Sequence, residues 1–143
     1  MKKIVFVMAV CFICSAAYAD DSVSKKSIYK SASEYFGSFS GLTCNGVFES
    51  SPNSKIVLKL AVSEETHELE GTLEDKRRKE ESKIYNCRGV TDNELLCIVD
   101  AGRISVPLYF TFTKNRHSVE AESRMNDDGE ISRTRMFDAK CSE

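Results

Sequence analysis

Tryptophan is missing from this chain altogether, and proline and histidine occur only twice each. With two histidines, His67 and His117, both placed at strand starts beside turns, general acid–base machinery has little to draw on. There is no CxxC pair and no close histidine pair, which excludes the common zinc sites. No GxSxG elbow and no glycine-rich phosphate loop occurs. The acid pairs Glu64-Glu65, Glu80-Glu81 and Asp127-Asp128 fall in predicted turns, where carboxylates are solvated rather than set as a glycosidase pair. Charge of one sign is scarce too: 20 Lys and Arg against 22 Asp and Glu give −2. A mildly acidic chain has no global attraction to nucleic acid or anionic lipid. The residues point away from an enzyme, and no cofactor or metal is expected.

What is present begins with MKKIVFVMAVCFICSAAYA, residues 1–19. Lys2 and Lys3 precede an apolar run from Ile4 to Cys14, and Ala17-Tyr18-Ala19 makes a small-x-small site before two aspartates. That is the pattern of a Sec-type signal peptide cleaved after Ala19. Its apolar run is too short to span a bilayer, so no transmembrane anchor is expected. Neither Cys11 nor Cys14 follows a small residue, which argues against lipidation. Cleavage places residues 20–143 in the periplasm or outside a bacterial cell, as one domain.

Four cysteines remain in that domain: Cys44, Cys87, Cys97 and Cys141. An even number in an exported chain reads as two disulfides. A turn at Thr91-Asp92-Asn93 would set Val90 opposite Glu94 and hence Cys87 opposite Cys97, close enough to bridge. Cys44 and Cys141 are then left to tie the first strand to the last. The chain-entropy model credits a closed loop of about 100 residues with roughly 4.7 kcal/mol.

Residues 24–36 carry Ile28, Tyr29, Ala32, Tyr35 and Phe36 at helical spacing, with Ser24 and Gly37 as caps. Everything afterwards alternates with period two. Strands are expected at 42–48, 55–62, 67–74, 82–90, 94–100, 103–113, 117–125 and 130–141. Short turns join them, and no long helix intervenes to make a parallel crossover. The fold class is therefore all-β with one short N-terminal helix. Its sheet is an eight-stranded antiparallel meander closed into a small barrel or a strongly curled sheet. Pro107, on the outward phase of its strand, marks a bulge or an edge.

Three surface features stand out. If Tyr85, Cys87 and Cys97 face inward, Ile84, Val90, Leu96 and Ile98 form an outward apolar patch that the helix, a second copy or a partner must cover. Lys76, Arg77, Arg78 and Lys79 form a basic hairpin tip flanked by acids, a charged element suited to recognition. The last strand, ISRTRMFDAKC, puts Arg133 and Arg135 in phase with Phe137 and Cys141. Either a bulge between residues 135 and 137 turns the arginines outward against Glu120 and Glu122, or they enter the interior as an anionic-ligand site. The first costs about 1–3 kcal/mol for one buried unpaired backbone group, the second several kcal/mol per unanswered charge.

In plan, the chain resembles small exported bacterial proteins such as the periplasmic lysozyme inhibitors, with a leader, one β-rich domain and two disulfides. It shares no loop motif with them, and no residue role carries over. The reading is a non-enzymatic protein-binding module of the envelope, of the inhibitor or immunity type, whose partner is another exported protein. The alternative is a lipocalin-like carrier of a small apolar or anionic ligand. Peptide mapping of the unreduced protein is expected to give Cys87–Cys97 and Cys44–Cys141, and a Cys44–Cys87 peptide would contradict the strand order.

Overall fold

The computed structural model describes residues 41–142. The predicted helix at 24–36 and the leader lie outside the described residues. Eight strands follow in order: β1 (Leu42–Phe48), β2 (Ser51–Val62), β3 (Leu69–Asp75), β4 (Glu80–Thr91), β5 (Glu94–Ala101), β6 (Ile104–Phe112), β7 (Ser118–Asp127) and β8 (Glu130–Ser142). All ladders are antiparallel, and β8 returns to β1 to close the barrel. Closure removes the two free edges that a curled sheet would keep.

Period-two alternation builds the interior. Leu42 and Cys44, alternate residues from Ile56 to Leu60, Leu69 and Leu73, alternate residues from Leu95 to Val99 and from Leu108 to Phe112, and Val119 with Ala121 all turn inward and are buried. Phe137 lies edge-on to Phe48 and tilted against Phe110, each at 6.2 Å between ring centroids. This aromatic row plugs the middle of the barrel. Two glycines let the wall curl tightly enough. A Cβ at Gly46 would overlap the Asp138 carbonyl oxygen and Ala139, and one at Gly71 would overlap the Lys59 carbonyl oxygen and the Leu60 side chain.

Both disulfides form, Cys44–Cys141 at 2.08 Å and Cys87–Cys97 at 2.10 Å between sulfurs. Cys44 lies opposite Cys141 in the β1·β8 ladder, so the seam between first and last strand is covalent. The Cys87–Cys97 bridge arises differently from the simple opposition expected. The β4·β5 register breaks between Tyr85 and Arg88, and Asn86 adopts φ 50°. Asn86 and Cys87 together face the one residue Cys97, which makes a bulge. The bulge reverses the phase of β4. Ile84 is therefore inside and fully buried, and Tyr85 is outside with its hydroxyl donating to Asp100 at 3.1 Å. The outward placement of Ile84 and the inward placement of Tyr85 are both corrected by this one extra residue.

β8 breaks phase too. Ala121 pairs with Phe137 and Glu122 with Arg135, leaving Met136 as the extra residue. The Met136 carbonyl accepts from the Glu49 N–H at 2.9 Å, so the bulge leaves that group satisfied. Arg133 and Arg135 face outward, at 61% and 48% side-chain exposure, with Arg133 3.8 Å from Glu122 and Arg135 3.0 Å from Glu120. The interior anionic-ligand site is not formed. The β7–β8 turn is shorter than the four residues expected: Asp127 pairs with Glu130, and Asp128 and Gly129 both take positive φ, the Asp-Gly signature of a type I′ hairpin. The register accordingly slides by two residues, and the ion pairs run diagonally across the strands.

Two ladders are short: β3 pairs with β4 only from Gly71↔Ile84 to Asp75↔Glu80. β6 pairs with β7 only from Tyr109↔Glu122 to Phe112↔Val119, whereas β7 and β8 stay paired out to Asp127↔Glu130. The end of the β7–β8 hairpin thus stands free as an arm, and Ile104–Leu108 face no β7 partner. Pro107 sits in that unpaired stretch. Its missing N–H is harmless there, and it blunts an exposed edge against strand addition. The Gly46→Ala and Gly71→Ala variants are expected to lose about 1–3 kcal/mol or more in urea unfolding, because the obstacle is backbone. Arg133→Ala is expected to change stability by about 1 kcal/mol or less.

Candidate functional site

The early end of the β6·β7 ladder opens the barrel on one side. Below the plug, inward-facing Phe48, Leu73, Val99, Val106, Leu108 and Met136 line a cup of about 920 Å³ at the end carrying the β1–β2, β3–β4 and β5–β6 turns. Buried Ser54 adds a polar group to its wall, and Asp75, Arg77, Arg78, Glu80 and Glu81 stand at its rim. A concavity of this size is in the range of small-molecule sites, here with an apolar floor and with serines and charged residues around it. Ile104 and Met125 occupy the inward phase of their strands beyond the last core layer and are exposed at 64% and 70%. They flank the stretch where β6 and β7 part.

Charge reinforces the point of divergence. Arg124 lies just past the last β6·β7 pair, opposite Arg133 in the β7·β8 register. Like charges directly opposed repel, and Arg124 turns away from β8. Its guanidinium lies 3.9 Å from the Tyr109 ring centroid, donates to Glu122 at 2.6 Å, and forms a two-pronged pair with Glu94 of β5, one prong being Nη1–Oε1 at 3.1 Å. Thr111 donates to the same Glu94 at 3.1 Å. The hydrogen bond to Glu94, first among several, holds the Arg124 guanidinium above its ordinary pKa. Glu94 is 9% exposed although it sits on the outward phase. This cluster staples β5, β6 and β7 where the ladder stops, and among the described residues no buried side-chain nitrogen or oxygen lacks a partner.

The residues singled out from sequence do not converge on one surface. Ile84 is core. Val90, Leu96 and Ile98 are half-buried, and the last two, with Pro107 and Arg88, line a shallow outer depression of about 540 Å³. Lys76, Arg77, Arg78 and Lys79 form the exposed β3–β4 turn, and only Arg77 and Arg78 reach the cup rim. Asp75 caps that turn by accepting the Arg77 and Arg78 backbone N–H groups at 2.9 and 3.2 Å. The cup residues and the Glu94–Arg124 pair were not anticipated. Residues 30 positions apart with no local motif give no sequence signal. The Asp128-Gly129 turn did carry one, and reading it would have set the β7–β8 register.

Among the described residues, no group of His, Cys, Asp and Glu is arranged to hold a metal ion. Comparison with models of known families, with curated proteins and with solved structures returns no match.

Arg124→Met, which keeps the apolar stem but leaves Glu94 unanswered, is expected to cost about 2–3 kcal/mol in urea unfolding. Pairing it with Glu94→Gln is expected to recover part of that loss. An effect of Arg124→Met no larger than that of Arg133→Ala would show that the staple contributes nothing.

Proposed function

We propose that this protein binds a small, apolar-bodied ligand in the cup and carries it outside the cytoplasm, with no catalytic step. The observation that carries the reading is the cup itself: about 920 Å³ with inward-facing apolar side chains at its floor, serines on its wall and a charged rim. A barrel packed solid from end to end would have argued for a pure protein-binding module. The aromatic plug fills only the middle, so the carrier moves ahead of the inhibitor or immunity-type module in the order of readings. Export rests on the leader pattern, and the two disulfides are consistent with an oxidising compartment.

A second reading has its own observation. The β7–β8 arm leaves the sheet as a two-stranded ribbon and presents Met125 and Ile131, 70% and 58% exposed, on its opposite faces. Two-stranded ribbons are marginal in water and gain most from a partner. On this reading the arm docks into another exported protein.

The two readings separate by substitution. N-phenyl-1-naphthylamine, an uncharged apolar probe, is expected to gain fluorescence on the wild-type protein. Met136→Glu and Val106→Glu, which put a carboxylate on the cup wall, are expected to weaken that binding by about tenfold or more, the equivalent of about 1.4 kcal/mol. Met125→Ser with Ile131→Ser is expected to leave it unchanged. Probe binding that ignores the cup substitutions and falls with the arm substitutions would reverse the order.

A further inference from the structure

The carrier reading leaves the class of ligand open, and the rim narrows it. Across the β3·β4 ladder, Glu74 faces Glu81 and Asp75 faces Glu80. Like charges opposed across a ladder destabilise it. On β3 both are answered: Glu74 by Lys76 at 2.7 Å, and Asp75 by the backbone N–H groups of the turn. On β4 they are not, for Glu80 and Glu81 make no ion pair among the described residues. The same holds for the Arg77 side chain, and Arg78 has only a long contact, 3.9 Å, to Asp75. The mouth of the cup therefore carries two uncommitted guanidinium groups and the uncommitted Glu80, which shares the inward phase of Ser82 and Ile84, while Glu81 borders it from the opposite phase.

Resting on the carrier reading, we infer that the cup takes a zwitterionic single-chain amphiphile. The alkyl chain enters between Val99, Val106, Leu108 and Met136. The anionic part of the head meets Arg77 and Arg78, whose planar forks suit phosphate oxygens, and the cationic part meets Glu80, with the Glu81 charge beside it on the outer side of the rim. A purely anionic head would gain the arginines but stand against the two carboxylates, and a purely cationic one would meet the reverse. A neutral sugar head would answer neither sign. The exposed apolar Ile104 and Met125 beside the cup leave room for a chain longer than the cup to lie along the parting of β6 and β7.

Isothermal titration with dodecylphosphocholine, dodecanoate and dodecyl maltoside, each below its micelle concentration, tests this on the full chain with both disulfides intact. Dodecylphosphocholine is expected to bind about tenfold or more tighter than either of the others. Arg77→Gln with Arg78→Gln, and separately Glu80→Gln with Glu81→Gln, are each expected to erase that advantage while leaving dodecyl maltoside binding unchanged. All four side chains are exposed, so the variants are expected to fold. Equal affinity for the three amphiphiles, or an advantage that survives both double variants, overturns the zwitterion and leaves the cup a general apolar site. No binding of any of the three removes the carrier reading itself, and this inference with it.

Discussion

Cys44 and Cys141 sit opposite each other in the β1·β8 ladder, and the bond between them joins the first strand of the barrel to the last across 97 residues of chain. That pairing is the most non-local in the molecule, and the other ladders are hairpins between sequence neighbours. Non-local pairings bear the largest loop-closure cost. A covalent link at that position makes the seam permanent once found. With the seam shut, the alternating faces of all eight strands enclose one interior, and the core, the plug and the cup become parts of a single space.

The wall of that space is not uniform, and its irregularities determine its shape. Gly46 and Gly71 admit the tight curl. The bulge at Asn86-Cys87 brings Ile84 into the core and lets the second disulfide span a phase change. The bulge at Met136 ejects Arg133 and Arg135 and, in the same step, places Met136 on the cup wall. Arg124 then holds β7 to β6 and β5 at the last point before the strands part. Each device is local, and together they leave the middle of the barrel filled by aromatic rings and a concavity at one end.

Much of this was legible in the sequence because it rests on period and composition. The eight strands, their antiparallel order and both disulfides follow from alternation, short turns and an even cysteine count. The phase conflict in ISRTRMFDAKC was legible because two arginines cannot share a face with Phe137 in a closed core. The β4 bulge leaves a similar but fainter trace: Lys83 shares the phase of Tyr85 and Arg88 that of Ile84, so a regular strand would turn one of the two charges inward. Strand ends differ for a related reason: the alternation places the second strand at 55–62, yet residues 51–54 extend β2 through an irregular register opposite Phe48. The cup was hidden most completely. It depends on where the β6·β7 ladder stops, a property of strand tilt and stagger around a closed barrel that no single strand encodes.

The account stands on a barrel closed at the β1·β8 seam, with β7 leaving β6 beyond Tyr109↔Glu122. Native-state hydrogen exchange of the oxidised protein measures this directly, because backbone amides in closed ladders exchange slowly and those at free edges do not. Amides of the β1·β8 seam around Cys44 and Cys141 are expected to be protected as strongly as those of β5, with rapid exchange in the arm between Met125 and Thr134. Fast exchange along β1 and β8, as from the two edges of an open curled sheet, would contradict the closed barrel and the cup built on it.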